Sequence, residues 1–524
     1  MSGSTNLLLD SLPQRLSGIP ERWAQQTPEA IALCQDGVAF TFQQLAQASI
    51  QAAQWLRDSG VRPGDRLMVV AENCIAQIVL IFAAARIDAW IVNVNARLSA
   101  AEVDAIGDHS QPRRIIYTVS VSAEARAHAE RGGALAHQLT GVGEIAVGAL
   151  NETCSVEPVC ASGSEQVAAL IYTTGTTGLP KGVMLTHRNL LFIAASSSQV
   201  RGLVPGDRAY GVLPITHVFG LASVALGTLY AGATLYLAAR YSPAALLQAI
   251  RDDKLTIIQG VPAMYARLLE YDKGRQDLAQ TSLRFIYAGG SPLDSTLKLE
   301  TERLFGRTLH NGYGMTESSP TISQTRLDAP RSDTSVGSVI PGVEARIVDS
   351  QGADLPQDEP GELWVRGPNV MKGYYRDEAL TARTIDAQGW LNTGDLVRQD
   401  SDGALFLIGR SKELIIRSGF NVYPIEVEAA LNAHPAVAQS AVVGRPGHGG
   451  NEEVVAFVEL DPTQPAPNEQ SLHDWLVSRL SPYKRPSQIV VMQAMPAAAT
   501  GKILKGQLKE LAQRLLKEEL HPEP

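Results

Sequence analysis

Short apolar runs typical of buried strands alternate with helical stretches along most of this 524-residue chain. A strand-type run at 66–71 precedes a helical stretch at 78–87, and a strand-type run at 256–261 follows a helical one at 244–252. Such alternation predicts an α/β fold of layered, largely parallel sheets. The length exceeds that of one ordinary domain, so more than one is expected.

The spacing of the strand-type runs changes from about residue 331 onward. Short runs at 345–349, 361–367 and 404–408 suggest a small β-barrel-like part or antiparallel sheet. A separate α+β pattern follows Gly409-Arg410-Ser411-Lys412 and is long enough for a domain. We therefore predict a large N-terminal domain over 1–410 and a small, mobile C-terminal domain over 411–524.

Composition restricts the class of protein. Hydrophobic residues make up 45% and charged residues 19%, as in soluble globular proteins. The net charge of −9 and the absence of a basic run argue against a nucleic-acid partner. The four cysteines show no C-x-x-C spacing, and the N-terminus lacks a signal-peptide pattern. These features favour a cytoplasmic protein.

One uncharged stretch, residues 218–239, is long enough to be mistaken for a membrane span. It contains Gly220, Gly227 and Gly232 together with several hydroxyl side chains. We predict instead a core helix to about Tyr230, a turn at Gly232 and a buried strand at 234–237. No transmembrane segment is expected.

The stretch 172–182 reads Y-T-T-G-T-T-G-L-P-K-G and suits binding of a polyphosphate. Glycines let backbone N–H groups approach an anion, hydroxyls donate to its oxygens and a lysine adds charge. It is not a Walker A loop, because Pro180 precedes Lys181 and Gly182 stands where Ser or Thr would hold magnesium. Apolar runs on both sides predict a hairpin with a flexible tip. By itself the stretch is equally compatible with a polar surface loop.

Further motifs follow this loop in a fixed order. They are Gly312-Tyr313-Gly314-Met315-Thr316-Glu317, Gly361-Glu362-Leu363, Thr393-Gly394-Asp395, Gly409-Arg410 and Thr500-Gly501-Lys502. Together they resemble the adenylate-forming (ANL) superfamily, in particular its AMP-forming acyl- and aryl-CoA synthetases. The resemblance spans residues from Thr41 to Lys502.

The resemblance implies a two-step ligase that uses ATP, Mg²⁺ and CoA. A carboxylic acid and ATP give an acyl-adenylate and pyrophosphate, and the acyl group then passes to a thiol, releasing AMP. Because two anions must meet, positive charge and a metal ion are needed. The implied ATP and AMP site consists of Thr173, Thr174, Gly175, Thr176, Thr177, Gly178, Lys181, Gly289, Gly290, Ser291, Tyr313, Gly314, Thr316, Asp395, Arg410 and Lys502.

The resemblance also assigns catalytic roles. Lys181 contacts the leaving phosphates, Glu317 contacts the metal, and Lys502 reaches the carboxylate and the α-phosphate. Tyr313 stacks on adenine, and Asp395 with Arg410 binds the ribose. Taken singly, these residues would be assigned more ordinary structural roles, such as a solvated acid, a core tyrosine, a turn aspartate or an exposed lysine.

The same resemblance predicts a rotation of the C-terminal domain between the two half-reactions. The hinge falls on Lys412, and the rotation brings Ser418, Gly419 and Asn421 to the CoA side of the site. Glycine at 419 would let a pantetheine arm pass close to the backbone.

The predicted acid pocket contains His217, Phe219, Val261, Met264, Gly312 and Met315, with His217 bordering the carboxylate as a catalytic residue. No aspartate occurs between 213 and 230, which disfavours an amino acid substrate. No arginine stands among the predicted pocket residues, which disfavours a dicarboxylate. We therefore expect an aromatic or a medium-chain fatty acid. Without the family context, His217 fits a core or capping histidine equally well.

The thiol is expected to be free CoA, since no carrier domain follows Lys502. Ile416 departs from the lysine common in luciferases and plant aryl-CoA ligases, which puts a luciferase-like activity in doubt. Two alternatives remain: an adenylating enzyme that loads a carrier protein, and a nucleotide-binding scaffold without catalysis.

Overall fold

The structure is a computed structural model that describes residues 3–174, 180–274, 278–417, 420–447, 451–497 and 503–520. By their contacts the residues divide into two units. The first contains Met1–Gly290, Glu300–Ala345 and Val365–Leu391, and the second contains Ser291–Leu299, Arg346–Trp364 and Asn392–Pro524.

The α-helices in the described part of the chain are α1 Gly3–Ser11, α2 Gly18–Gln26, α3 Phe42–Asp58, α4 Ile75–Arg86, α5 Ala100–Ser110, α6 Ala123–Arg131, α7 His187–Val200, α8 Gly227–Tyr230, α9 Pro243–Asp252, α10 Pro262–Asp272, α11 Ser295–Phe305, α12 Glu378–Thr384, α13 Pro424–Asn432, α14 Glu469–Val477 and α15 Lys505–Leu520.

The strands are β1 Ile31–Gln35, β2 Val38–Thr41, β3 Arg66–Ala71, β4 Trp90–Asn95, β5 Arg114–Tyr117, β6 Leu135–Leu139, β7 Gly143–Val147, β8 Val167–Thr174, β9 Pro180–Thr186, β10 Arg208–Gly211, β11 Thr234–Leu237, β12 Ile257–Gly260, β13 Phe285–Gly289, β14 Leu309–Gly314, β15 Thr321–Gln324, β16 Ser338–Val339, β17 Glu344–Val348, β18 Gly361–Arg366, β19 Gly373–Tyr374, β20 Leu391–Gln399, β21 Leu405–Arg410, β22 Ile415–Arg417, β23 Phe420–Val422, β24 Val437–Pro446, β25 Glu452–Leu460 and β26 Gln488–Met492.

Two large mixed sheets form the first unit. One has nine strands in the order β16-β15-β14-β13-β12-β10-β11-β1-β2, and the other has eight in the order β19-β9-β8-β4-β3-β5-β7-β6. Their central pairs, such as β12–β13 and β3–β4, are parallel, while pairs at the edges, such as β1–β2 and β8–β9, are antiparallel. The predicted α/β class is confirmed, and the parallel pairing is confined to the centres of the two sheets.

Helix α4 lies between the two sheets. It contacts β1 of the nine-stranded sheet and β3 and β4 of the eight-stranded one, and every residue from Ile75 to Ala85 is buried. A helix that is apolar on all sides has to be surrounded by other elements, which explains its place in the core.

The side chain of Asn73, just before α4, links β3 to the segment after β10. Its Nδ2 donates to the carbonyls of Gly211 and Leu213, both at 2.9 Å, and its Oδ1 accepts from the Ile215 N–H at 2.9 Å. Asn73 is buried, so these bonds are made away from water. They fix the segment that leads into His217 and Phe219.

The second unit contains β20 and β21, an antiparallel pair within the four-stranded sheet β17-β18-β20-β21. It also contains the hairpin β22–β23 and the three-stranded sheet β24-β25-β26. Buried side chains of α13 and α14 pack in one apolar cluster with this last sheet, and those of α15 pack in another. The α+β pattern predicted for this part of the chain is confirmed.

The uncharged stretch after Val218 forms a π-helical turn over Phe219–Leu226, the short helix α8 and the strand β11. This confirms the predicted core helix, turn and buried strand. Within the described residues, no helix combines the length and the apolar character needed to cross a membrane.

Candidate active site

The hairpin β8–β9 carries both sides of the predicted phosphate loop. Thr173 and Lys181 are directly opposite each other in its antiparallel register, as are Thr174 and Pro180. The predicted hairpin is therefore present. Gly175, Thr176, Thr177 and Gly178 lie outside the described residues.

Aromatic side chains support the base of this hairpin. The Tyr172 hydroxyl lies 2.8 Å from Nδ1 of His109, and the His109 ring also packs edge-on against Tyr375. A Cβ added at Gly182 would lie 3.2 Å from Cζ of Tyr172 and 3.4 Å from Cβ of Tyr375. Glycine at 182 therefore allows both rings to pack against the strand that carries Lys181.

Glu317 and Lys181 are connected through Tyr374. The Tyr374 hydroxyl donates to Oε1 of Glu317 at 2.7 Å, and Lys181 Nζ lies 5.9 Å from the centroid of the Tyr374 ring. Strand β19 pairs with β9, which puts Tyr374 opposite Val183, and the Met371 N–H donates to the Glu317 carbonyl at 2.9 Å. Burial and the nearby Glu317 charge raise the pKa of Tyr374, which keeps its hydroxyl protonated as a donor.

Glu317 fits a magnesium ion that is held mainly by substrate. Mg²⁺ in nucleotide enzymes is bound by one or two carboxylates, with phosphates and water as the other ligands. Among the described residues, no group of three His, Cys, Asp or Glu side chains is arranged to hold a metal by itself. Tyr374 bonds to Oε1 of Glu317, so Oε2 is the oxygen that this contact leaves to a metal.

The predicted adenine-binding residues gather at the carboxyl ends of parallel strands. Gly289 at the end of β13 is in register with Gly312 of β14, next to Tyr313. Gly290 has φ +85°, a left-handed conformation that glycine adopts without strain. A Cβ on Gly314 would lie 1.6 Å from the Pro320 carbonyl oxygen, so this position requires glycine. Ligands of open α/β sheets bind at this edge.

Thr316, the predicted α-phosphate contact, is buried in a 3₁₀ helix over Thr316–Ser318 that follows β14. The same turn includes Met315, whose N–H donates to Oγ of Ser318 at 3.0 Å. The motif is therefore one compact turn that also carries Glu317.

Part of the predicted acid pocket comes together around Gly289 and Gly290. A Cβ on Gly289 would lie 3.4 Å from the Phe219 ring, and one on Gly290 would lie 3.5 Å from Cγ1 of Val261. Met264 lies near the preceding strand, since its Cε is 3.2 Å from the Cβ position of Gly260. Burial of Phe219 and Met264 makes this an apolar lining.

His217 is exposed, and its Nδ1 accepts from the Phe219 N–H at 3.3 Å. The backbone N–H of His217 donates to the Pro214 carbonyl at 2.9 Å. The structure thus places the histidine at the start of the turn that carries Phe219.

Two polar residues next to this pocket were not predicted. The Tyr287 ring packs edge-on against Phe219 with centroids 6.0 Å apart, and the buried Arg201 guanidinium lies 4.3 Å from the Tyr287 centroid. The predicted pocket residues include no arginine, and the structure places Arg201 outside that set, against Tyr287. Tyr287 could have been found from strand alternation, since it points to the same face of β13 as Gly289. Arg201 follows α7, far away in sequence, and nothing local indicates it.

The predicted ribose contacts form a pair in the second unit. Asp395 of β20 and Arg410 of β21 are register partners, and Arg410 Nε lies 3.1 Å from Oδ1 of Asp395. Asp395 is buried and Arg410 is exposed. The Asp395 N–H donates to Oγ1 of Thr393, which donates to the Leu363 carbonyl. These bonds fix the strand that carries the carboxylate.

The remaining predicted residues that the structure describes belong to the same unit. Lys412 is exposed in a 3₁₀ helix over Ser411–Glu413, and Asn421 is exposed opposite Ile416 in the β22–β23 hairpin. Ser291, the last residue of the predicted adenine loop, is exposed in this unit as well. Ser418, Gly419 and Lys502 lie outside the described residues.

Comparisons with known proteins identify the family. Residues 20–375 match the AMP-binding enzyme family, and residues 426–502 match the AMP-binding enzyme C-terminal domain. Feruloyl-CoA synthase from Amycolatopsis sp is 34% identical over 503 residues, which cover 95% of this chain and 99% of the relative.

A plant protein and a solved structure indicate the same family. 4-Coumarate–CoA ligase 2 of Oryza sativa subsp. japonica is 34% identical, with 93% of this chain and 90% of the relative covered. O-succinylbenzoate coenzyme A synthetase of Bacillus subtilis, solved in complex with ATP and magnesium ion, is 31% identical with a TM-score of 0.80, covering 94% of this chain and 99% of that one. The chain therefore belongs to the adenylate-forming family of AMP-binding enzymes.

Proposed function

We propose that this enzyme is an ATP-dependent carboxylic acid–CoA ligase that works through an acyl-adenylate. The observation that supports this most directly is Tyr374, whose hydroxyl bonds Glu317 and whose ring lies near Lys181, because it joins an acid suited to magnesium to a lysine suited to phosphate. ATP and magnesium are named with the Bacillus synthetase, and CoA is named with the relatives.

In the first half-reaction the acid oxygen attacks the α-phosphorus and pyrophosphate leaves. Lys181, Thr173 and the adjoining loop hold the leaving phosphates, and Thr316 contacts the α-phosphate. Lys502 balances the charge that develops between carboxylate and phosphate. Magnesium, when bound at Glu317, would neutralise phosphate oxygens and orient them for in-line displacement.

Other side chains bind the adenine and the ribose of the nucleotide. Tyr313 stacks on adenine beside the Gly289-Gly290-Ser291 backbone, and Asp395 accepts from the two ribose hydroxyls. Arg410 is the second ribose contact, and its pairing with Asp395 orients that carboxylate.

In the second half-reaction the CoA thiol attacks the acyl carbon and AMP leaves. We propose that the C-terminal domain, residues 411–524, turns about Lys412, so that Ser418, Gly419 and Asn421 face the thiol. We place the reaction in the cytoplasm, where the four cysteines, none of them in a disulfide, would stay reduced.

The acid is proposed to be aromatic. The rings of Phe219 and Tyr287 both lie next to Gly289 and pack edge-on against each other, and two relatives are named for aromatic acids, ferulate and coumarate. A medium-chain fatty acid would fill the same apolar lining less specifically.

The test is an AMP-release assay with ATP, Mg²⁺ and CoA over aromatic, fatty and dicarboxylic acids. Release that needs both an aromatic acid and free CoA supports the proposal. Acid-dependent pyrophosphate exchange without CoA-thioester formation would instead identify an enzyme that loads a carrier protein. Absence of exchange with every acid would favour a scaffold that has lost catalysis.

A further inference from the structure

Arg201 is a buried arginine that has no acidic partner among the residues that the structure describes. It is 1% exposed. Its Nε donates to Oε1 of Gln324 at 3.2 Å, its Nη1 donates to Oε1 of Gln259, and Nη1 also reaches the Ser223 carbonyl at 3.5 Å. Within the described part of the chain all of its partners are neutral. A buried cation without a counter-ion is costly, and burial accordingly lowers the pKa of Arg201.

Several donors in this cluster have no hydrogen-bond partner among the described residues. They are Nη2 of Arg201, Nε2 of Gln259 and the hydroxyl of Ser323. Buried polar groups are nearly always hydrogen-bonded, so such a group of unsatisfied donors indicates a place for an acceptor that the described residues do not supply.

The cluster adjoins the proposed acid pocket. The Tyr287 ring contacts both Arg201 and Phe219, and its hydroxyl would lie 2.0 Å from a Cβ on Gly312. Gln324 is the register partner of Gly312, and the Ser323 carbonyl would lie 2.8 Å from the same Cβ. Arg201, Gln259, Tyr287, Ser323 and Gln324 therefore form a polar base beneath the apolar walls of the pocket.

We propose that this polar base binds an oxygen at the distal end of the acid substrate, either a phenolic oxygen or a second carboxylate, with Arg201 as the residue that selects for it. This inference rests on the proposed function, because it assumes that the pocket receives the acid. It deepens that function by adding a second required group to the substrate. Both oxygens accept hydrogen bonds from a guanidinium, and a carboxylate would also neutralise its charge.

An apolar acid of the same length would leave these donors unpaired. Sites built to bond a polar group reject analogues that lack it, because the buried partners then stay unsatisfied. Selection against apolar acids is therefore expected from wild-type enzyme alone, before any residue is changed.

The test compares acids on one skeleton: cinnamate, 4-methylcinnamate, 4-hydroxycinnamate and 4-carboxycinnamate. In acid-dependent pyrophosphate exchange, wild-type kcat/KM should be at least about 10-fold higher for an acid with a para oxygen than for 4-methylcinnamate. A preference for 4-hydroxycinnamate identifies the phenol as the group bound, and one for 4-carboxycinnamate identifies the second carboxylate. Equal or greater use of 4-methylcinnamate would overturn the inference.

The role of Arg201 is tested with Arg201→Met, which keeps a long, unbranched side chain and removes the hydrogen-bond donors. It should lose most of the preference for a para oxygen while using 4-methylcinnamate as well as before, and Arg201→Lys should retain part of the preference. Arg267→Met, a change at an exposed arginine on α10, is the control for loss of a positive charge. Equal losses on all four acids would mean that Arg201 only supports the fold.

A second variant covers the case in which Arg201→Met does not fold, as judged by thermal unfolding. Gln259→Leu should reduce the same preference, and an unchanged preference would count against the polar base. If no acid of any class supports exchange by wild-type enzyme, the proposed function fails and this inference with it. If exchange proceeds without regard to the para oxygen, only this inference fails.

Discussion

At the scale of single residues, Tyr374 links two side chains of the proposed site. Its hydroxyl bonds Glu317 and its ring lies under Lys181, so one residue touches both the metal-binding acid and the phosphate-binding lysine. The neighbouring Tyr375 bonds Glu157 at 2.6 Å instead. The two adjacent tyrosines therefore offer a matched pair for mutation.

Tyr374→Phe should lower the rate of adenylation about 10-fold and raise the Mg²⁺ concentration needed for half-maximal rate. The reason is that one hydrogen bond to a carboxylate is lost, which leaves Glu317 less well oriented. Pyrophosphate exchange titrated with Mg²⁺ measures both effects. Tyr375→Phe is the control, and an equal change in that variant would show that the effect is not specific to Glu317.

Lys502→Ala should reduce adenylation at least about 100-fold, the typical cost of one lost electrostatic donor in a transition state. Thioester formation from a supplied acyl-adenylate should change much less, because that step does not involve charge between carboxylate and α-phosphate. Rapid-quench measurement of the two half-reactions separates them. Near wild-type pyrophosphate exchange in the variant would show that Lys502 is not the catalytic lysine.

At the scale of elements, α7 organises the first unit around the hairpin and the pocket. Thr186 at the end of β9 caps it through a capping box with Asn189. The Asn189 Nδ2 also donates to the carbonyls of Pro368 and Val370, at 2.7 and 2.9 Å. One helix start therefore holds both the phosphate hairpin and the segment that leads to Tyr374.

Thr186→Ala should lower the free energy of unfolding by about 1–2 kcal/mol, because the helix loses a buried cap. Urea unfolding measures the change. Ser242→Ala removes the N-cap of α9, whose bond to the Ala245 N–H lies at an exposed position. The free energy of unfolding should fall less in this control than in Thr186→Ala. A larger loss at Ser242 would contradict the importance given to the buried cap.

His187, the first residue of α7, should make stability depend on pH. Its Nδ1 accepts from the Leu16 N–H at 3.2 Å, and burial lowers its pKa to about 3. The ordinary value is about 6.5, so below that pH the unfolded chain binds a proton that the folded chain does not. The resulting stability is complete above about pH 6.5 and is lost as the pH falls towards 3.

His187→Gln should weaken this dependence by about 1.4 kcal/mol per pH unit over the range between pH 6 and pH 4.5. Urea unfolding at a series of pH values, compared with wild type, measures the difference in slope. His473→Gln, at a partly exposed position on α14, serves as the control. An unchanged slope in His187→Gln would mean that the imidazole is protonated in the folded chain.

At the scale of the whole molecule, the residues divide into two units, and each unit contains some of the predicted site residues. Tyr313, Thr316 and Glu317 belong to the first unit, whereas Asp395 and Arg410 belong to the second. The predicted hinge, Lys412, lies in a short 3₁₀ helix, where the Leu414 N–H donates to the Arg410 carbonyl at 3.0 Å. Its role as a hinge stays a prediction, as does a domain boundary after residue 410.

Lys412→Pro should spare adenylation and slow thioester formation by at least about 10-fold, because proline fixes φ at the residue proposed to turn. Pyrophosphate exchange reports the first step, and acyl-CoA formation from preformed adenylate reports the second. Lys412→Ala keeps a free φ and should leave both steps close to wild type. Equal slowing of both steps by proline would place the hinge elsewhere.

Local patterns in the sequence determined the class of fold, the hairpin at 172–182, the strand and helix order and the family. These follow from apolar periodicity, turn residues and short motifs, which operate between near neighbours in the chain. The tertiary structure alone decided that Tyr374 bridges Glu317 and Lys181, and that Arg201 lies beneath Tyr287. Both contacts join residues distant in sequence, which only the pairing of β19 with β9 and the burial of the α7 end bring together.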